Sequence, residues 1–391
     1  MTGQPMPESK LILPKQELIE ALFDWDAVEL DPAKFPDWVT QGFFLRMGRT
    51  LGTGKRLLRL GNLFETEIRQ RVKENPEYVY GPAYKGIAIA AATAFHMGRT
   101  RQVRLGFDLP EDNSVGVQDV FRWKHWGDGI SEVYRITVPF IENSDDLRSW
   151  AKDWAAHYKR FFDPTGKSKY GFDTVVGDGS AIPAAAALAM ELADSNPDID
   201  PFFVIPRRSR AAVQRAEQTY RERRQAHRNE KLAITEASER LYMGTIRDSA
   251  KYVLVSPRKG DTRVDPKLPY SFGSPGREDA RMIITDDSIL TGKTMNDDAN
   301  ELRIKYPNSK ILGGFVAVHI QELGPSIRNQ RGDPNISSTQ FIDKSTLPLY
   351  AVVNSEDIME HAFRRGLVSQ AVHQQFQQAR ERYHVKRLPT Y

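Results

Sequence analysis

Asp286 and Asp287 stand side by side at the end of the apolar run Met282 to Thr285, and Thr291, Gly292, Lys293 and Thr294 follow within a few residues. Each half of this stretch has its own chemistry. A turn of Thr, Gly, Lys and Thr at the start of a helix offers successive backbone N–H groups, two hydroxyls and a cation, which together can cradle a monophosphate. Two carboxylates repel phosphate, but they accept hydrogen bonds from vicinal sugar hydroxyls or hold Mg²⁺ through its water shell. A phosphate joined to a sugar diol satisfies both halves. The Walker-type alternative lacks its first glycine, whose place is taken by an aspartate, and an ordinary Asx turn is the structural alternative.

Groups of this kind work when a parallel sheet delivers them to one edge, so the surrounding chain should alternate strands and helices. It does. "PEYVYGPAYKGIAIAAATAFHM" reads as a short strand, Tyr78 to Tyr80, a Gly/Pro loop, and a small-residue helix from about Ile87. "GFDTVVGDGSAIPAAAALAMELA" repeats that pattern, with a strand from Phe172 to Val176 and a helix from Ala184 to Ala193. "YVLVSPRK" is a strand ending in Arg258 and Lys259; "RMIITDD" is a buried strand, Met295 to Lys305 a helix, and "ILGGFVAVHI" another strand. Leu11 to Leu22 and Leu57 to Val72 carry helical periodicity, and "LPLYAVVNSEDIMEHA" is a strand running into a helix capped at Asn354 and Ser355. The Arg-rich stretch from Arg207 to Lys231 is either a solvated helix face or a contact for nucleic acid or polyphosphate.

Composition narrows the classes. The chain has 391 residues, 40% of them hydrophobic, enough for one large core or two ordinary ones. Its formal charge of +4 does not demand a nucleic-acid partner. The absence of cysteine excludes disulfides, thiolate metal sites and a cysteine nucleophile. The amino terminus lacks a signal-peptide core, and no apolar run approaches the roughly 20 residues of a membrane span, so the expected setting is cytoplasmic, with no membrane.

"IITDDSILTGKT" resembles the phosphoribosyl pyrophosphate motif of the type I phosphoribosyltransferases. "YGPAYKGIAIAAATA" is similar to the pyrophosphate-loop segment of the orotate phosphoribosyltransferases in that family, and "LPLYAVVNSEDIMEHA" to its closing strand and helix. "GFFLRMGRTLGTGKRLLRLGNLFE" resembles its amino-terminal segment. The resemblance implies a central parallel sheet flanked by helices with a small hood from the termini. It assigns residues 1–97 and 252–391 to that core and 98–251 to an inserted, partly Arg-rich α/β region. It also implies transfer of the phosphoribosyl group from phosphoribosyl pyrophosphate to orotate, release of pyrophosphate, dependence on Mg²⁺ and a homodimer. The alternatives are another pyrimidine-like base, or a sensing regulator that binds nucleic acid.

Carried over residue by residue, the resemblance gives Asp286 and Asp287 the ribose and the metal, and gives Thr291, Gly292, Lys293 and Thr294 the 5′-phosphate. Lys85, with the backbone at Tyr84 and Gly86, would hold pyrophosphate, and Arg258 and Lys259 would hold it from the next strand. Phe43 and Phe44 would flank the base or pack in the core. Lys267, with Arg263, would replace the cations of the family's mobile loop, and Gly273 and Gly276 its hinges; that loop's histidine is absent here. "FRWKHWGDGI", Phe121 to Ile130, is a closer match to that loop at an unexpected place, and is read either as a relocated lid or as a Trp-rich turn. "VVGDGSAIP" is a competing pyrophosphate loop, with Gly81 to Gly86 preferred because it carries the lysine.

Overall fold

In a computed structural model the chain is described at residues 14–32, 42–82, 85–108, 133–139, 141–161, 172–178, 181–193, 200–204, 251–257, 264–265, 268–289, 292–320, 347–382 and 388. Two mainly parallel sheets share one layer of helices.

The larger sheet contains β3 (Tyr78–Gly81), β4 (Arg104–Asp108), β11 (Arg281–Ile289), β12 (Lys310–His319) and β13 (Leu349–Asn354). They stand in the order β13-β12-β11-β3-β4, all parallel. An antiparallel edge of β10 (Leu268–Phe272) and β9 (Val264–Asp265) extends the sheet beyond β4. The chain leaves β3 outward to β4 and leaves β11 outward to β12 and β13, so the strand order reverses between β3 and β11. In such a sheet, that reversal opens a crevice at the carboxyl ends of the two strands. β11 buries Met282 to Thr285 without interruption, as a central parallel strand covered on both faces requires.

The smaller sheet contains β5 (Val133–Val138), β6 (Phe172–Asp178), β7 (Asp200–Val204) and β8 (Lys251–Pro257), in the order β7-β6-β8-β5 and wholly parallel. This repeats the order β4-β3-β11-β12, with the strand in the fourth position arriving first along the chain. The expected boundaries therefore move. β4, read as part of the insertion, belongs to the larger sheet, whereas β8, read as part of the core, belongs to the smaller one. Short apolar strands fit either sheet equally well, and pairing is decided by contacts remote in sequence.

Helices join the two sheets. α3 (Lys85–Met97) is buried at every position from Gly86 onward. α5 (Ile182–Leu192) is buried almost throughout and packs against α3. A helix apolar all round has to be enclosed, and each of these encloses the other. α2 (Gly54–Arg71) lies across both: a β-carbon on Gly61 would come within 2.5 Å of the Ala92 carbonyl oxygen, and one on Gly54 would collide with the Ala189 carbonyl oxygen. α4 (Ser144–Phe161) packs against α5 and also touches α3, where the Arg148 guanidinium donates to the Phe95 carbonyl at 2.9 Å.

Segments from the two ends of the chain meet. Val28–Glu29 and Phe44–Leu45 form an antiparallel pair, β1 and β2, following α1 (Pro14–Asp24). Phe43 lies 6.1 Å, ring to ring, from Phe376 of α8 (Gln370–Arg382). α6 (Lys293–Lys305) covers the other face of the larger sheet, and α7 (Ser355–Arg364) follows β13 behind a capping box formed by Asn354 and Asp357. Among the described residues no helix is long and apolar enough to cross a membrane.

Candidate active site

The carboxyl ends of β3 and β11 lie side by side, with Tyr80 opposite Ile284. β11 carries the acidic pair near its carboxyl end, and α3 begins four residues after Gly81, the last residue of β3. At that junction the Lys85 ammonium donates to Asp287 Oδ2 at 2.7 Å across 202 residues of sequence. Asp287 is 6% exposed, and its own backbone N–H donates to Asp286 Oδ1 at 2.8 Å. Gly86 allows the approach: a β-carbon there would meet the Thr285 carbonyl at 3.1 Å and Asp286 Oδ1 at 3.2 Å. Lys85 and Gly86, at the start of α3, and the acidic pair therefore meet at one place.

Electrostatics divides the two carboxylates. Asp287 has its charge met by Lys85. The Asp286 carboxyl is pushed well above its ordinary value by burial first and by the neighbouring Asp287 charge second, with Lys85 pulling the other way. A sugar hydroxyl or a cation arriving here would stabilise the ionised form.

α6 starts close to the end of β11. Its N-cap, Gly292, has φ +76°, a left-handed conformation open to glycine at no steric cost. No acidic residue occupies the first turn of α6, so its unpaired amides and positive dipole end have no carboxylate of their own there. Lys293 and Thr294 lie in that turn, with Thr294 exposed.

The second loop has a different setting. Gly177 stands opposite Val255 of β8, as Gly81, counted on from its paired neighbours, stands opposite Thr285 of β11. The two residues after Thr285 are the aspartates; the two after Val255 are Ser256 and Pro257. Only the first loop has the acidic pair beside it. The strand before Arg258 and Lys259 is accordingly not the neighbour of β3, a place that β4 takes, so these two residues do not follow the next strand as expected. The segment holding Phe121 to Ile130 instead leaves directly from β4.

Phe43 is fully buried in the core against Phe376, which favours its packing reading. Phe44 is half-buried, with the Arg46 guanidinium 5.9 Å from its ring centre. Tyr84, Arg258, Lys259, Arg263, Lys267, Thr291, Phe121 to Ile130 and Arg207 to Lys231 lie outside the described residues. Gly273 and Gly276 have φ +84° and +78° in the turn between β10 and β11.

Sequence reasoning missed a polar group at the ends of β12 and β13. His319, 1% exposed, pairs through Nδ1 with Asn354 Oδ1 at 2.9 Å, and Asn354 bonds both main-chain groups of Leu388. The available signal was a histidine closing the apolar strand "ILGGFVAVH" at the sheet edge where ligands bind.

No protein-family model matches the chain. Over 96 residues it is 33% identical to an orotate phosphoribosyltransferase of Agathobacter rectalis, a match covering 23% of this chain and 42% of that relative, so less than half of the relative's length is spanned. Among solved structures, an orotate phosphoribosyltransferase of Francisella tularensis aligns over 94% of this chain and 98% of its own, with TM-score 0.39 and 15% identity. A UMP synthase of Leishmania donovani aligns over 61% and 33%, with TM-score 0.21 and 13% identity. The five-stranded parallel sheet flanked by helices is an α/β architecture, and over the 96 matched residues the chain is similar to an orotate phosphoribosyltransferase.

Proposed function

We propose that the chain transfers the 5-phosphoribosyl group of phosphoribosyl pyrophosphate to orotate. The observation that carries this reading is the 2.7 Å contact between Lys85 and Asp287, which joins a pyrophosphate-loop segment to an acidic pair at the sheet's reversal point, close to a helix start suited to phosphate. In the reaction the bond from C1 to the pyrophosphate oxygen breaks and a bond from C1 to a ring nitrogen of orotate forms. The nitrogen's proton is lost to solvent, and pyrophosphate leaves with the bonding electron pair.

The protein's part is to position charge. Asp286 and Asp287 accept the ribose hydroxyls, the amides from Gly292 to Thr294 hold the 5′-phosphate, and Lys85 turns from Asp287 to the leaving pyrophosphate as its charge grows. Two adjacent carboxylates are hard donors that fit Mg²⁺ holding most of its water. When bound, that ion would neutralise part of the pyrophosphate charge. Chain order makes Lys124, in the segment leaving β4, a better candidate than Lys267 for a further cation near the leaving group. The same reading places the enzyme in the cytoplasm and as a dimer.

The test is pyrophosphate release from phosphoribosyl pyrophosphate with Mg²⁺ and orotate. Release should require orotate and fall on the order of 100-fold or more when Asp286 and Asp287 are both changed to Asn. Release that is equal with and without orotate, or unchanged in the variant, would refute the reading.

A further inference from the structure

Asn354 does more than cap a helix. Its Oδ1 accepts from the Asp357 backbone as the N-cap of α7, from the Leu388 N–H at 3.1 Å, and from His319 Nδ1 at 2.9 Å. Its Nδ2 donates to the Leu388 carbonyl at 3.0 Å. One side-chain amide thus meets both polar groups of residue 388, as a neighbouring strand's peptides would. Because Asn354 Oδ1 can only accept, His319 carries its proton on Nδ1. Its Nε2 is a buried acceptor without a partner among the described residues. Burial, with the Arg380 charge nearby, keeps the ring neutral.

This node adjoins the end of β11. His319 is paired in register with Ile289, the last residue of β11, and the Ile320 N–H donates to the Ile289 carbonyl at 2.9 Å. The Leu388 side chain, 6% exposed, belongs to the same apolar cluster as Ile289 and as Met295 in the first turn of α6. Arg380 of α8 ties down the approach by donating to Ser355 Oγ at 2.9 Å and pairing with Glu356.

Building on the reading above, we propose that Leu388, clamped by Asn354, is a positioning residue for the start of α6, where the 5′-phosphate would bind. Its apolar side chain shares a cluster with Met295 of α6, while the clamp fixes it at the ends of β12 and β13. Asn354 and Leu388 are positioning residues, touching no reacting atom.

Asn354→Asp tests this directly. Aspartate keeps the N-cap and the acceptor for His319 but removes the donor to the Leu388 carbonyl. Leu388→Ala and a chain ended after Arg382 are companion variants. Ribose 5-phosphate should bind about tenfold more weakly to each variant, as expected for one lost anchoring contact. Pyrophosphate, held at the β3 loop, should bind as to the parent. Amide exchange at 289–296 should accelerate in every variant, while exchange in β4 stays unchanged. Equal weakening of both ligands would mean general loss of structure and overturn the proposal, as would unchanged exchange at 289–296. If the parent chain binds neither ligand, the phosphoribosyltransferase reading fails, and the exchange data still decide whether Leu388 supports the turn.

Discussion

Lys85 begins α3, where a cation opposes the helix dipole by roughly 0.3–1 kcal/mol. Its contact with Asp287 offsets that cost and leaves Asp286 as the strained member of the pair. A carboxyl whose folded pKa is raised loses stability as pH climbs from the unfolded value near 3.8 through the folded one. Asp286→Asn should therefore melt above the parent at pH 7 while losing activity, with the gap closing toward pH 4; a lower melting temperature at pH 7 would contradict this account. Two buried histidines act in the opposite direction. His319, and His96 in α3 beside Arg99, Glu65 and Arg148, are both held down to about 4 by burial. Unfolded histidines bind protons below about 6.5, so each neutral ring contributes stability that is lost between pH 6.5 and 4, of order 2–3 kcal/mol at the acid end. His319→Gln should flatten the dependence of melting temperature on pH over that window, as compared with the parent.

At the scale of elements, the sequence was legible wherever the signal is local. The helix expected over Leu57 to Val72 runs Gly54–Arg71, and the one expected over Met295 to Lys305 runs Lys293–Lys305. The strand expected over Tyr78 to Tyr80 gains only Gly81. The acidic pair and its following turn could be read because their chemistry lies within thirteen residues. What could not be read is pairing at a distance. "YVLVSPRK" and "VRLGFD" are both short apolar strands, and nothing in either says which sheet will accept it. The clamp of Leu388 by Asn354 spans 34 residues of apparently unrelated sequence. Helix packing was equally hidden, since Gly54 and Gly61 read as neutral positions until Ala189 and Ala92 stand opposite them. Gly61→Ala puts a methyl group against the backbone of α3 and should cost about 1–3 kcal/mol, the usual range for overpacking. Chemical denaturation checks it, and an unchanged midpoint would show that α2 can move away without loss.

Across the whole molecule, two sheets repeat one strand order, and among the described residues the adjacent acidic pair stands in the larger one, beside its reversal point. The repeat looked like a rival catalytic loop in sequence because its Gly-ended strand and Ala-rich helix copy those of the first. Its neighbour β8 ends in Ser256 and Pro257, so the copy keeps the architecture without the acidic pair. The two Ala-rich helices then serve each other as cover. When such apolar faces belong to separate molecules, their meeting depends on protein concentration; when one chain carries both, it is intramolecular and does not. The join between α3 and α5 is therefore indifferent to dilution, and the larger sheet keeps its covering layer at any abundance of the protein.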